Sequence, residues 1–256
     1  MRNLCFKITT VTLFFVFVLN SCRKNDEIQD VDSVEFVARS LYIELTNHHL
    51  LNKINLNLEF QLIPKTVNID TVNFQATKVV VIDFGKGFGC SDGLIRRGKL
   101  QIQQTIDNQE KKHYQLSTTW LDSFGVYLNN KWYYLQGSSE HIFQSNGYST
   151  LKSQSLFTNS EFTTTIICDS LKFEDIWETN ATTIVGDYKI EGSGIIDGVD
   201  FILDAQVKAN DYLFCLHSGK MNWNKWVYDF DPYRKSTIDD WVKILKGANE
   251  YFFHLR

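Results

Sequence analysis

Lys78-Val79-Val80-Val81-Ile82-Asp83-Phe84 and, a little further on, Lys99-Leu100-Gln101-Ile102-Gln103-Gln104-Thr105-Ile106 are the segments whose reading decides the fold. The first is an almost unbroken apolar run rich in β-branched residues. It predicts a strand buried on both faces or at the centre of a sheet. The second alternates apolar and polar side chains, as a half-buried strand does. Leu56-Asn57-Leu58-Glu59-Phe60-Gln61-Leu62 alternates in the same way. Similar segments follow at residues 114–120, 131–142, 161–168, 183–191, 199–207, 212–217 and 250–255. Between them stand Asp107-Asn108, Asn129-Asn130, Asn146-Gly147 and Asp197-Gly198, dipeptides that supply the positive φ of tight hairpins. The composition agrees: aromatics reach 14% and the chain has only 2 prolines, Pro64 and Pro232. The expected fold is mainly β, an antiparallel meander of roughly ten strands, built as a sandwich, an open barrel or an elongated curved sheet.

Two helices are expected beside the strands. Val34, Val37, Leu41, Leu45 and Leu50 form an apolar stripe, with Glu35, Arg39, Glu44 and Asn47 between them. Asp32 or Ser33 can cap that helix. Near the C-terminus, Ser236-Thr237-Ile238-Asp239 reads as a capping box with Asp in place of Glu. Trp241, Ile244 and Leu245 then give a helical stripe, with Gly247 at its end. Two phrases, Trp132 to Ser138 and Asp187 to Ser193, echo each other through an aromatic, an aliphatic and Gly-Ser. They read as two hairpins using one strand-then-turn chemistry.

The N-terminus carries a different message. Arg2 and Lys7 precede an apolar run, residues 8–19, of about a dozen residues, too short to span a bilayer. Leu19-Asn20-Ser21-Cys22 closes it and resembles the lipobox of bacterial lipoproteins. That resemblance implies removal of a signal peptide, residues 1–21, and a diacylglycerol with a further acyl chain such as palmitate on Cys22. Two or more chains anchor a protein stably in a membrane. Residues 22–33 are charged and polar and read as a tether. Residues 34–256 then form a single β-rich domain, with a Trp-rich segment at 220–256. The mature chain has 235 residues (256 minus 21), with 24 basic and 30 acidic side chains once Arg2 and Lys7 are gone, a formal charge of −6. No basic patch marks a nucleic-acid surface.

The internal motif with most character is Asp83-Phe84-Gly85-Lys86-Gly87-Phe88-Gly89-Cys90-Ser91-Asp92-Gly93, followed by Arg96-Arg97-Gly98-Lys99. It lacks the Lys-Ser/Thr pair and following helix of a phosphate loop. Asp83 and Asp92 with backbone carbonyls could ligate calcium, although a third acid is missing nearby. Cys90 could serve as a nucleophile only if a histidine met it in space. The structural alternative is a long glycine-shaped connection between strands. With Cys22 lipidated, Cys90, Cys168 and Cys215 remain, which allows one disulfide and one thiol.

These phrases resemble an uncharacterised Bacteroidota outer-membrane lipoprotein family, over residues 30–220. The resemblance rests on the lipobox, apolar-Asp83-Phe84-Gly85, Cys90, Asp92-Gly93 and Arg97-Gly98-Lys99, and on Ile190 to Gly194 with Phe214 to Gly219. It ends at the Trp-rich tail. It implies an antiparallel β fold, a Cys90–Cys215 disulfide with Cys168 free, and a place in the outer membrane, with periplasmic and surface leaflets both open. It brings no activity.

No Gly-x-Ser-x-Gly, His-Glu-x-x-His or paired-carboxylate signature is present, and the six histidines are scattered or, at His48-His49, adjacent. The expected role is therefore non-enzymatic: binding a glycan or an envelope protein, or supporting envelope structure. Trp223, Trp226, Trp132 and Tyr133 are the candidate ligand-binding side chains, since aromatic faces stack on sugars and anchor partner chains. No cofactor is expected beyond the lipid and the calcium reading. The competing classes are an envelope hydrolase with a site dispersed along the strands, and a calcium-stabilised structural protein. Asp32-Ser33-Val34, Asp70-Thr71-Val72 and Asp169-Ser170-Leu171 match the Asp-Ser/Thr-apolar triplet that Bacteroidota use for O-glycosylation.

Overall fold

The computed structural model describes residues 30–51, 68–74, 77–90, 92–106, 113–144, 148–175, 186–210, 213–230 and 241–255. The expected strand over residues 56–62, the cap at 236–239, the turns at 107–108 and 146–147, and Cys22 lie outside them. The chain divides into two compact units, Met1–Ala38 and Arg39–Arg256. Of the first unit, residues 30–38 are described and are helical, with the Ser33 hydroxyl donating to the Asp30 carbonyl at 2.8 Å. The helix is thus already formed at residue 30, inside the stretch expected to be tether.

The second unit carries this helix, α1 (residues 30–51), through to Leu51 and, among the described residues, adds fourteen strands. They are β1 (Asn68–Phe74), β2 (Thr77–Asp83), β3 (Phe88–Gly89), β4 (Ile95–Ile106), β5 (His113–Leu128), β6 (Lys131–Gln144) and β7 (Tyr148–Thr158), then β8 (Thr163–Asp175), β9 (Gly186–Ile196), β10 (Val199–Asn210), β11 (Leu213–Trp223), β12 (Trp226–Phe230), β13 (Trp241–Lys246) and β14 (Asn249–His254). All belong to one antiparallel sheet in chain order, with β3 pairing β4 off the main path. The expectation of a mainly β antiparallel meander is met.

Local chemistry explains the hairpins. Asn129 and Asn130 both take positive φ, 48° and 62°, and join β5 to β6 in two residues. Asp197-Gly198 does the same between β9 and β10, at 50° and 79°. The Asp197 carboxylate also ties its turn to β8, accepting from the Thr164 hydroxyl and the Thr165 amide, each at 2.7 Å. β2 buries Val80 and Ile82 more deeply than Val79 and Val81, so the apolar run keeps a preferred face.

Three expectations are corrected. Residues 241–246 form a strand, not a helix. Val242 and Ile244 point inward while Trp241, Lys243 and Leu245 are half-buried, a period of two that Trp-x-x-Ile-Leu spacing disguises. Gly247, at φ 62°, turns the hairpin to β14 instead of ending a helix. The Gly-Ser echo is not a turn: Gly137 and Gly192 lie within β6 and β9. A Cβ at either would collide with a carbonyl oxygen of the neighbouring strand, Gln154 or Ser170. These glycines allow a close backbone approach.

The third correction concerns α1 itself. Its polar positions do not face solvent: Arg39, Glu44, Asn47, His48 and His49 are buried along with Leu41, Ile43 and Leu45. Contacts radiate from residues 39–51 to distant parts of the meander. Asn47 meets Arg96 on β4, and His48 meets His141 on β6, Ser149 on β7 and Phe173 on β8. The Arg39 guanidinium donates to the His254 carbonyl at the end of β14 at 2.9 Å and stacks over Phe253. Burying polar groups is tolerable only where partners meet them. The sheet's inward face supplies most of these.

Candidate functional site

A polar seam runs between α1 and the middle of the sheet. The register explains its origin. Thr118 on β5 lies opposite Ser139 on β6, Ser139 opposite Ser153 on β7, and Ser153 opposite Cys168 on β8. All four point inward and are buried. Small polar side chains at inward positions leave room for Glu44, and Ser155 extends the row along β7. One turn further along α1, His48 lies among Phe143, Ser149 and Phe173, stacked on Phe173 with ring centroids 3.9 Å apart.

His48 and His141 meet nitrogen to nitrogen, Nδ1 to Nδ1, at 2.6 Å. Their outer nitrogens reach hydroxyls: His48 Nε2 lies 3.0 Å from Ser149 Oγ and His141 Nε2 2.7 Å from Ser139 Oγ. A neutral imidazole has one N–H and one bare nitrogen. One Nδ1 must therefore donate and the other accept, and the four groups form a directional chain, Ser149–His48–His141–Ser139. Both rings cannot be cations, since two N–H groups would then oppose each other. Burial pushes His141 down to about 3. Burial, with the neighbouring His141 and His49, holds His48 well below the usual histidine range.

Glu44 is the seam's acid. Burial raises its carboxyl to about 7, while the nearby Ser153 and Ser155 hydroxyls favour the ionised form less strongly. Those hydroxyls stand beside the carboxyl without closing a hydrogen bond of normal geometry, and Glu44 Oε2 and Ser40 Oγ are likewise unpartnered. Burial, together with the Glu44 charge, also pushes the Cys168 thiol up.

The glycine-rich motif is held from inside. Arg96, fully buried, grips Asp92 with two parallel hydrogen bonds, Nη1 to Oδ1 at 2.9 Å and Nη2 to Oδ2 at 2.7 Å. Its Nε donates to Asn47 Oδ1 at 3.3 Å. Asp92 Oδ1 also accepts from the Leu94 amide, which fixes the turn before β4. Asp92 holds the Arg96 guanidinium even more firmly protonated than usual. The connection is pinned from inside by this ion pair.

On the outward face of β4–β6, Ile95, Tyr127 and Trp132 share one register row and Arg97, Gly125 and Tyr134 the next. Gly125 has no side chain, so the Arg97 guanidinium can lie between the rings, 4.9 Å from the Trp132 centroid and 4.8 Å from that of Tyr134. Ile95 is exposed and the rings of Tyr127, Trp132 and Tyr134 are half-exposed.

The residues singled out from the sequence are scattered. Trp226 and Tyr133 are core side chains, since alternation turns both inward; Trp226 packs against Tyr251 under the Lys246 ammonium. Trp223 is half-buried and its indole donates to the Ile196 carbonyl at 3.2 Å. Of the four, Trp132 alone joins the outward aromatic platform. Cys90, Cys168 and Cys215 are buried and none is in a disulfide, so the expected Cys90–Cys215 bridge is not formed. Cys90 sits beside β4 and Cys215 on β11, with β5 to β10 between them in strand order. Burial pushes the Cys90 thiol up against the pull of Arg96. Each carboxylate that the calcium reading needs is engaged: Asp92 by Arg96, and Asp83 by the Gly85 amide at 2.8 Å and Lys99 at 3.7 Å. Among the described residues no cluster of three or more His, Cys, Asp or Glu could hold a metal ion.

Sequence reasoning missed Glu44, His48, His141, Arg96 and the inward serines of β7. The available signal was the serine spacing in Ser149-x-x-x-Ser153-x-Ser155, odd positions that share one strand face with Leu151 and Phe157. No protein-family model, curated protein or solved structure matches this chain.

Proposed function

We propose that the chain is a lipid-anchored lipoprotein of the outer membrane, held by Cys22, whose β-rich unit has a binding role toward a glycan or an envelope protein. The observation that carries the binding role is the Arg97–Trp132–Tyr134 platform with Tyr127 and exposed Ile95 beside it. An aromatic surface of this kind is costly to leave in water and suits a sugar face or an apolar anchor. The finer architecture we propose for the second unit is a sheet curled round residues 39–51 of the helix. It is supported by the burial of residues 39–51 and their contacts to β4, β6, β7, β8 and β14.

Two observations favour this reading over its rivals. The acid and the two histidines of the seam, Glu44, His48 and His141, are sealed from solvent, and His48 bonds to a second histidine instead of the acid; a hydrolase needs both access and a base oriented by an acid. The outward positions of β7–β10 include Lys152, Gln154, Lys172, Glu191, Asp204 and Gln206, all exposed, whereas a lipid-facing strand would turn apolar groups outward.

Co-sedimentation of the membrane-extracted chain with isolated envelope polysaccharide tests the binding role. Wild-type chain is expected to be retained, and Trp132→Ala to weaken retention about tenfold, the loss of one good stacking contact. Equal behaviour of the two proteins would refute a role for the platform.

A further inference from the structure

We propose that Glu44, Ser40, Ser153 and Ser155 form a buried site for one monovalent alkali cation, sodium or potassium. Four oxygens support it: Glu44 Oε2, Ser40 Oγ, Ser153 Oγ and Ser155 Oγ are each buried and each without a hydrogen-bond partner among the described residues. All four residues are more than nine-tenths buried. Native interiors leave few such groups, and oxygens grouped in this way are donors suited to holding a cation.

The fold brings them together. Ser40 and Glu44 are one turn apart on α1 and share a helix face. Ser153 and Ser155 are alternate residues on the inward face of β7, and both hydroxyls act on the Glu44 carboxyl. The donor set is oxygen only, which selects hard cations over zinc or copper. Charge selects the valence. One carboxylate and three neutral hydroxyls balance a single positive charge, whereas a divalent ion would leave a net charge in the interior. The cations buried nearby are committed elsewhere. Arg96 holds Asp92, Arg39 holds the His254 carbonyl, and His48 and His141 are both neutral. A water molecule could join hydroxyls to the carboxyl, but it would leave the carboxylate charge unopposed.

The test is thermal unfolding of the full chain at pH 8 in sodium, potassium or choline chloride at equal ionic strength. One alkali salt is expected to raise the midpoint by roughly 5 °C over choline, saturating with concentration, as a ligand specific to the native state does. The sodium and potassium arms identify the preferred ion. In Glu44→Gln the difference between salts disappears, and in Ser155→Ala it shrinks. Identical midpoints for the wild type in all three salts would overturn the proposal, as would an undiminished difference in Glu44→Gln. If Glu44→Gln fails to fold, sodium-23 line broadening by the wild type, relieved by potassium, gives the answer. Broadening that potassium leaves unchanged, or none at all, counts against the site.

Discussion

Replacing Glu44 by Gln removes a buried charge while keeping the shape of the side chain. Burial raises this carboxyl from 4.5 to about 7. That difference of roughly 2.5 units, at about 1.4 kcal/mol each, amounts to about 3–4 kcal/mol. The sign follows from where the proton sits. Because the native pKa is raised, the folded chain binds more protons than the unfolded chain between 4.5 and 7. Glu44 therefore destabilises the fold progressively as pH rises through that window. The penalty is absent below 4.5 and complete above 7. Gln carries none of it, so Glu44→Gln is expected to match the wild type near pH 4 and exceed it by about 3–4 kcal/mol at pH 8. The histidines titrate in both proteins and cancel in the difference. Urea unfolding at pH 4, 6 and 8 measures it, in choline salt so that no alkali ion offsets the wild-type charge. A difference that does not vary with pH, or a variant less stable than wild type at pH 8, would refute this account of the seam.

Other perturbations separate the remaining interactions. His48 and His141 are neutral in the fold, with pKa values held below 6.5, so they contribute stability above that pH that is lost as pH falls toward 3; His141→Gln should flatten that acid limb in urea melts. Arg96→Met leaves Asp92 buried and unpaired and should cost about 3–5 kcal/mol, much of it recovered by adding Asp92→Asn. Trp226→Ala should cost about 3–5 kcal/mol in chemical denaturation, because its indole is core, while Trp132→Ala should change stability far less.

The strands and their turns were readable because alternation and the Asn129-Asn130 and Asp197-Gly198 dipeptides are local signals. The seam was not, and the reasons are physical. Glu44 and Asn47 lie between apolar residues on α1, which ordinarily marks a solvent-facing side; here the inward serines of β6 and β7 receive that side. Those serines weaken the apolar alternation of residues 148–158, so β7 escaped the reading. His48 and His141 are 93 positions apart, and no local pattern joins them. Arg96 was treated as part of a basic phrase with Arg97, but one residue's difference on a strand sends Arg96 into the core and Arg97 to the outer face. Trp223 and Trp226 drew attention by type, while strand phase decides which aromatic is exposed.

The proposed anchor at Cys22 would determine what the platform on β4–β6 can reach, since any partner would then lie near a membrane surface. Mass spectrometry of the chain extracted from its native membrane addresses this directly. The account predicts a mature N-terminus at Cys22 carrying diacylglycerol and an acyl chain, no residues from 1–21, and no disulfide among Cys90, Cys168 and Cys215. An unmodified Cys22, or a chain retaining residues 1–21, would contradict it.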